Sequence, residues 1–363
     1  MAIRGLAEAL REIYPGKNIL ISTVTPTGNK IAKGIAGQSD GVIYLPLDFS
    51  FIVRPVVNRI NPCFFVLAET EIWPNLIDAL YKRRIPIAVV NARISDRSFR
   101  GYSLIKFFLK PILNRINAFC AQTAVDAARL IKLGVPENKI EVTGNMKFDL
   151  RPHVLSFDHI NLGLSEKEQL LVCGSTHPGE EEIILRVYKK LLGEFGSLRL
   201  LIAPRHPERA KEIAGLVQQA GFQPVFLSIL GATSCELRTN VFILDTIGQL
   251  ISYYALADIV FVGGSLVKTG GHNILEPASE GKPVLFGPHM FNFRDIADLF
   301  VKNKAGVLVR NGQELEEKIK YLLNNPQIIK ELSKRAEELI NQNQGATLRN
   351  AGILKKAYAG ISL

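Results

Sequence analysis

Residues 259–277 read IVFV-GGS-LVKT-GGHNILEP, and this stretch decides the fold class. Ile259–Val262 is an apolar run of strand length, and paired glycines separate it from a stretch with helical character. Such glycines let the backbone approach a ligand closely, and the first amides of the next helix can hold an anion. Asn273 and Glu276 would share one face of that helix and could bond sugar hydroxyls and a base edge. A glycine turn capped by Asn273 is the alternative.

Apolar runs of strand length recur along the chain and alternate with helix-like stretches. Continuous apolar strands separated by helices are typical of parallel sheets that are covered on both faces. Two such series predict an α/β protein with two Rossmann-like, doubly wound domains that face a cleft. The predicted strands are Ile19–Val24, Phe64–Ala68, Ile87–Val90, Ala118–Ala121, Leu170–Cys173, Arg199–Ala203, Pro224–Leu227, Val241–Leu244, Ile259–Val262 and Pro283–Phe286.

The length of 363 residues also favours two domains over one. A polar, aperiodic stretch near residues 150–165 predicts the joint between them. We therefore expect an N-terminal domain of residues 1–155, a C-terminal domain of residues 156–342, and one more helix in residues 343–363.

The net charge of +10 predicts anionic partners. No aromatic-and-basic recognition motif accompanies the charge, so nucleic acid is not expected as a partner. The charge is compatible with an acidic membrane surface or an anionic lipid as the partner, and also with a basic face that is only exposed to solvent. The segment Phe99–Lys110 mixes bulky apolar and basic residues at helical spacing, which suits a helix lying on a membrane or packed on its own domain. The four cysteines form no C-x-x-C pair, so we expect neither a zinc site nor a disulfide framework.

Polar motifs of the second half follow predicted strands, where open parallel sheets bind ligands. Pro204-Arg205 follows one strand, and Arg205 is suited to bind a phosphate or carboxylate. Ile247-Gly248-Gln249 follows another, and Gly174–Glu181 follows the first strand of this half. Each could instead be an ordinary helix start. Together they suit a nucleotide that carries a sugar, and the absence of G-x-x-x-x-G-K-[ST] and G-x-G-x-x-G argues against an NTPase or a dehydrogenase.

Two motifs of the first half also carry candidate catalytic groups. Glu69 and Glu71 follow the strand Phe64–Ala68, beside the only Trp of the chain, and a carboxylate there could take a proton or stabilise positive charge. Lys147 lies between apolar neighbours and could bind an anion. An exposed acidic helix start is the alternative for the first motif.

In this order and spacing, the motifs resemble those of the 3-deoxy-D-manno-octulosonic acid (Kdo) transferases of lipopolysaccharide synthesis, over essentially the whole chain. The stretches that carry the resemblance are Thr23–Gly28, Glu69–Asn75, Asn91–Arg93, Gly144–Asp149, Pro204–Arg209, Gly263–Ser265 and Gly270–Pro277. The resemblance implies a GT-B glycosyltransferase that moves Kdo from CMP-Kdo to an anionic lipid A precursor. It implies inversion at the anomeric carbon, no metal or other cofactor, and work at the cytoplasmic face of the bacterial inner membrane.

The resemblance also implies roles for individual residues. Glu69 and Lys147 match residues that stabilise the transition state, and the last helix is expected to cross back onto the N-terminal domain. The residues implied to contact CMP are Pro204, Arg205, Ile247, Gly248, Gln249, Asn273, Ile274, Leu275 and Glu276. The chemistry is compatible, because one Arg and helix-terminal amides can stabilise the single phosphate of CMP as it leaves.

One departure from the family affects the expected activity. Family members begin with an apolar anchor, a strand and an S-x-G-E loop whose Glu is the general base. Here Met1–Leu10 resembles the helix after that loop, and neither Glu8 nor Glu12 stands at its start. Because the general base is missing, we expect the chain as written to transfer Kdo poorly. Because the first strand is missing as well, the N-terminal sheet would have an unpaired edge, and we expect the N-terminal domain to be less stable than the C-terminal domain.

Two alternatives remain open at this point. The first is a GT-B enzyme with a UDP-sugar donor, which would need further cationic or glycine-rich groups for the second phosphate. The second is a truncated, inactive CMP-sugar-binding protein that keeps the fold without the chemistry. Binding of CMP in preference to UDP would separate the first alternative from Kdo transfer.

Overall fold

The computed structural model describes residues 3–150, 162–165, 167–229 and 241–359. The chain divides into two compact units, Met1–Asp149 with Asn343–Leu363, and Leu150–Gln342. The boundary expected between residues 155 and 156 lies outside the described residues, and so does Cys235. The other three cysteines, Cys63, Cys120 and Cys173, are free thiols.

The first unit contains two sheets of parallel strands. Its strands are β1 (Leu20–Thr23), β2 (Gly41–Tyr44), β3 (Phe65–Ala68), β4 (Ile87–Ala92), β5 (Ala118–Ala121) and β6 (Ile140–Val142). Its helices are α1 (Ile3–Ile13), α2 (Pro26–Lys33), α3 (Ser50–Ile60), α4 (Pro74–Lys82), α5 (Asp96–Leu104), α6 (Lys106–Leu113), α7 (Ala124–Leu133) and α15 (Ala346–Ala359). β1 pairs with β2, and the larger sheet has the order β3-β4-β5-β6.

Both faces of the larger sheet of the first unit are covered. Successive side chains of a strand point to opposite faces, and every residue of β4 is buried. Ile87 and Val89 belong to one apolar cluster, with α4 and α6, whereas Ala88 and Val90 belong to another. The second cluster includes residues of α1 and α15, so the last helix of the chain completes the core of the first unit.

The second unit is built on one seven-stranded parallel sheet. Its strands are β7 (Gln169–Thr176), β8 (Leu198–Pro204), β9 (Pro224–Phe226), β10 (Val241–Ile243), β11 (Ile259–Val262), β12 (Val284–Phe286) and β13 (Val307–Leu308). Its helices are α8 (Glu180–Leu192), α9 (Ala210–Gln219), α10 (Leu250–Leu256), α11 (Leu275–Ser279), α12 (Arg294–Lys302), α13 (Gly312–Asn324) and α14 (Pro326–Asn343). The strand order is β13-β12-β11-β7-β8-β10-β9, which places β7 and β11 at the centre.

The prediction of one helix over Phe99–Lys110 is wrong, because the segment forms two helices. α5 ends at Leu104 and α6 begins at Lys106, with Ile105 between them at φ −107° and ψ 17°. The break leaves Leu104, Phe107 and Phe108 exposed. Among the described residues, none of the helices combines the length and the apolar character that crossing a bilayer would require.

Candidate functional site

The carboxyl ends of three neighbouring strands of the second unit bring three histidines together. His177 follows β7, His206 follows β8, and His272 lies in the glycine-rich loop after β11. The Nε2 atoms of His177 and His272 are 2.8 Å apart, and their rings are nearly parallel, at 8°. The His206 ring is edge-on to that of His177, with 6.2 Å between centroids. The strand order β11-β7-β8 explains this cluster, because loops at the same end of adjacent parallel strands are neighbours.

Burial and positive charge keep the close histidine pair neutral. Burial, followed by the neighbouring His177, Arg205 and His206, lowers the pKa of His272 to about 4. The pKa of His177 is also lowered, first by burial and then by His206, although Glu181 opposes this shift. At neutral pH one ring of the pair therefore donates its Nε2–H and the other accepts it.

The Gly263–Ser265 turn is bound by a carboxylate of the protein itself. Glu180, the first residue of α8, is fully buried. Its side chain accepts three consecutive backbone N–H groups at 2.6, 3.0 and 2.9 Å, those of Gly264, Ser265 and Leu266. The amides of this turn are therefore occupied within the protein.

Gly270 and Gly271 are required by the packing of the second unit. Both have positive φ, 106° and 71° respectively. A Cβ on Gly270 would lie 2.2 Å from Nδ2 of Asn292, and a Cβ on Gly271 would lie 2.2 Å from Sδ of Met290. Close packing therefore explains why both positions are glycine, and no bound ligand is needed to explain them.

Asn273 and Glu276 are hydrogen-bonded to each other, but Asn273 is not on the helix as the sequence predicts. α11 begins at Leu275. Oδ1 of Asn273 accepts the N–H of Leu275 at 3.2 Å, and its Nδ2 donates to Oε1 of Glu276 at 3.1 Å. Asn273 thus caps the first amide of α11. The sequence predicts that this amide holds an anion, but in the structure it is bound by Asn273. Burial raises the pKa of Glu276, opposed by the Asn273 hydrogen bond and by the charge of Arg205.

Two arginines of the loop after β8 have opposite environments. Arg205 is exposed, and within the described part of the chain its side chain makes no hydrogen bond or ion pair. Arg209 is largely buried and donates to the fully buried carboxylate of Glu181 at 2.8 Å. Arg209 therefore stabilises the loop, whereas the guanidinium of Arg205 is available to an anion.

The remaining predicted contacts of the second unit flank this edge of the sheet. Pro204 is the last residue of β8 and is buried, and Ile274 and Leu275 are fully buried. Ile247 is 81% exposed, and Gly248 has a φ of 93°. Gln249 accepts a hydrogen bond from the Thr246 hydroxyl at 2.5 Å. α10, which follows this turn, packs against α11, the helix that carries Glu276.

In the first unit, Glu69 and Lys147 lie side by side. Glu69 follows β3 with a left-handed backbone, at φ 62°, and Lys147 lies in a single 3-10 turn after β6. The Nζ of Lys147 is 3.4 Å from Oε1 of Glu69, whose side chain is 55% exposed. A left-handed backbone at a non-glycine residue costs about 1–3 kcal/mol and is often found at functional sites.

Buried polar groups fix the loop that carries Lys147. Oδ1 of Asn91 accepts the N–H of Met146 at 3.0 Å, and the Asn91 N–H donates to Oδ1 of Asn350 on α15 at 3.3 Å. On the other side of Lys147, the carboxylate of Asp149 accepts the N–H of Gly345 at 2.6 Å, just before α15. The last helix thus holds the Lys147 loop on both sides.

The edge formed by Arg205 and the histidines suits an anion. The buried carboxylates nearby are already bound, Glu180 by backbone amides and Glu181 by Arg209. A phosphate could bind Arg205 and the histidines, and the Glu276 carboxylate could accept hydroxyl groups beside it. Over the described residues, no three His, Cys, Asp or Glu side chains are arranged to hold a metal ion.

Comparison with known sequences decides the family. A family model described as 3-deoxy-D-manno-octulosonic-acid transferase (kdotransferase) matches residues 1–150, and one for glycosyl transferases group 1 matches residues 199–339. The chain is 37% identical to a 3-deoxy-D-manno-octulosonic acid transferase of Haemophilus influenzae, over 98% of the chain and 84% of that protein. The chain belongs to the Kdo transferase family. It is a glycosyltransferase.

Other comparisons extend this result to the fold. The chain is 37% identical to a bifunctional glycosyltransferase/methyltransferase of Fusobacterium nucleatum, over 89% of the chain but only 51% of that protein. The crystal structure of a glycosyltransferase from Rickettsia africae is similar with a TM-score of 0.61, at 15% identity, over 98% of the chain and 94% of that structure. The α/β GT-B fold predicted from the sequence is confirmed.

For this Kdo transferase family member, the structure brings several predicted site residues together. Glu69 meets Lys147, and Asn273 meets Glu276 within reach of the Arg205 charge. Their assignment to the transition state and to CMP stays a prediction. Sequence reasoning assigned no role to the three histidines. A signal was present, because His177, His206 and His272 each stand in a motif that follows a strand.

Proposed function

We propose that this protein transfers Kdo from CMP-Kdo to a lipid A precursor in lipopolysaccharide synthesis, with inversion and without a metal ion or other cofactor. The observation that carries the proposal is the 37% identity to a Kdo transferase over 98% of the chain. The arrangement of each unit supports it further, because each provides polar groups at the carboxyl edge of its sheet.

In the second unit, the proposed donor site binds CMP. Arg205 contacts the phosphate, and Glu276, oriented by Asn273, accepts hydrogen bonds from the ribose hydroxyls. The other predicted contacts, which shape the pocket for the nucleoside, are Pro204, Ile247, Gly248, Gln249, Ile274 and Leu275. One phosphate can be bound by the single cation Arg205 with the neighbouring histidines as hydrogen-bond donors, which favours a CMP-sugar over a UDP-sugar.

In the first unit, Glu69 and Lys147 serve the transfer itself. Glycosyl transfer passes through an oxocarbenium-like transition state, whose positive charge the carboxylate of Glu69 stabilises. Lys147 binds the carboxylate of Kdo. Their separation of 3.4 Å brings both charges close to one sugar ring.

The protein works at the cytoplasmic face of the inner membrane, where it meets its lipid acceptor. The junction of α5 and α6 supports this placement. Leu104, Phe107 and Phe108 are 89%, 84% and 73% exposed, and Arg100 and Lys106 beside them are exposed as well. Bulky apolar side chains flanked by basic ones are suited to a bilayer that contains anionic lipids.

Three measurements on the purified protein test the proposal. Calorimetric titration should show binding of CMP and much weaker binding of UDP; the reverse preference would favour a UDP-sugar donor. Mass spectrometry should then detect addition of Kdo to a lipid A precursor, also in EDTA, and NMR should show an anomer opposite to that of CMP-Kdo. Binding of CMP with no transfer under any condition would indicate a CMP-sugar-binding protein.

A further inference from the structure

The proposed transfer leaves the close pair His177–His272 without a specific task. The pair lies beside Arg205, whose charge contributes to the low pKa of both rings. We propose that the His177–His272 pair takes up one proton when the phosphate of CMP binds beside Arg205, and so forms a proton-coupled part of the phosphate subsite. This inference rests on the proposed function and adds to it a positive charge that balances the negative charge of the phosphate.

The geometry of the pair suits a single additional proton. With 2.8 Å between the two Nε2 atoms, one ring donates and the other accepts. A further proton binds Nδ1 of the donor ring, so that the shared bond becomes N–H⁺···N, which is stronger than its neutral form. A second further proton would set two N–H groups against each other. The pair therefore carries at most one positive charge.

The surroundings of the pair explain why it is neutral until an anion binds. His177 faces His206, Arg205 and Arg209, with Glu181 as the opposing charge, and His272 faces His177, Arg205 and His206. Glu181 is itself bound by Arg209 at 2.8 Å. An anion close to a titratable group raises its pKa by about 1–3 units. Since the pKa of His272 is about 4 without a ligand, a phosphate can bring the pair into the physiological range.

The extra proton matters during transfer. When the bond between the anomeric carbon of Kdo and the phosphate oxygen breaks, the electron pair stays on that oxygen. The phosphate then changes from a singly charged diester to a monoester with up to two negative charges. A protonated histidine pair beside Arg205 balances this increase and stabilises the leaving group.

The test is proton uptake during binding of CMP at pH 6.5, measured by calorimetry in buffers of different protonation enthalpy. We expect uptake of a substantial fraction of one proton per CMP, which becomes smaller as the pH rises above the raised pKa of the pair. His272→Gln keeps a nitrogen near the position of Nε2 but cannot titrate, so it should abolish the uptake. His289→Gln, which changes another histidine of the same unit, is the matched control and should leave it unchanged. His177→Gln gives a second test should His272→Gln unfold the protein.

The outcomes separate this inference from the proposed function. CMP binding without proton uptake, or with full uptake in His272→Gln, would overturn the inference and leave the donor assignment intact. Failure to bind CMP at all would overturn both. A purely structural role would lower the affinity of His272→Gln equally at every pH. A proton-coupled role instead removes the pH dependence that the pair gives to wild-type binding between about pH 5 and 7.

Discussion

The carboxylate of Glu180 accepts the backbone N–H of Ser265 at 3.0 Å, and both residues are fully buried. This bond joins the first turn of α8 to the turn after β11, although 85 residues separate them in the chain. Glu180 also accepts the N–H of His177 at 3.0 Å. One carboxylate thus fixes the loops that carry His177 and His272.

Glu180→Gln should destabilise the second unit. The amide of Gln can accept with one atom only, so at least one buried backbone N–H loses its acceptor, which costs about 1–3 kcal/mol per group. Glu182→Gln, at an exposed position of the same helix, is the control and should change the free energy of unfolding by less than about 0.5 kcal/mol. Urea denaturation measures both variants, and equal midpoints would contradict the prediction.

Arg205 and Arg209 should separate binding from stability. Arg205→Ala should weaken CMP binding by tenfold or more, because a charge-assisted hydrogen bond contributes about 1.5–3 kcal/mol. Its melting temperature should not change, since the side chain is exposed. Arg209→Ala leaves the buried Glu181 carboxylate without its charged partner, with only the Thr176 hydroxyl among the described residues donating to it, and should cost about 3–5 kcal/mol of stability. Calorimetry measures CMP binding and thermal unfolding measures stability. A lower melting temperature in Arg205→Ala, or an unchanged one in Arg209→Ala, would contradict the prediction.

Glu276→Gln should raise stability at neutral pH while weakening CMP binding. A carboxyl group with a raised pKa stabilises the folded state below its unfolded pKa, and this contribution is lost as the pH rises through the folded pKa. At neutral pH burial disfavours the charged form of Glu276, and Gln removes that cost while its side-chain oxygen still accepts from Asn273. The gain in melting temperature should be present at pH 7 and small at pH 4. Glu337→Gln, at an exposed position of α14, should show no such gain.

The sequence predicts the central strands well and misses three of the strands at the edges. Ala118–Ala121 and Ile259–Val262 are predicted with the observed bounds, and all their residues are buried. β2, β6 and β13 are not predicted from the sequence, and each lies at the edge of its sheet. None of their residues is fully buried. An edge strand needs no continuous apolar run, so the signal that reveals a central strand is absent there.

The candidate site is predicted in part for a similar reason. Arg205 and Glu276 stand in motifs whose position after a strand is visible in the sequence. The pairing of His177 with His272 depends on β7 lying next to β11, and 95 residues separate the two histidines. Local sequence patterns do not predict strand order, so the proximity of these two rings could not be predicted. The hydrogen bonds from the Gly263–Ser265 turn to Glu180 were not predicted either, because they also depend on the order of the strands.

The exposed apolar residues at the junction of α5 and α6 should mediate binding to anionic membranes. Burying a Phe side chain in an apolar phase contributes about 1.5–3 kcal/mol, so Phe107→Ser with Phe108→Ser should lower the affinity for vesicles containing phosphatidylglycerol by at least tenfold. Both side chains are more than 70% exposed, so the melting temperature should stay the same. Leu348→Ser on α15, where the side chain is 71% exposed, is the matched control in the same unit. Cosedimentation measures binding, and equal loss in both variants would mean that the α5–α6 junction is not the membrane contact.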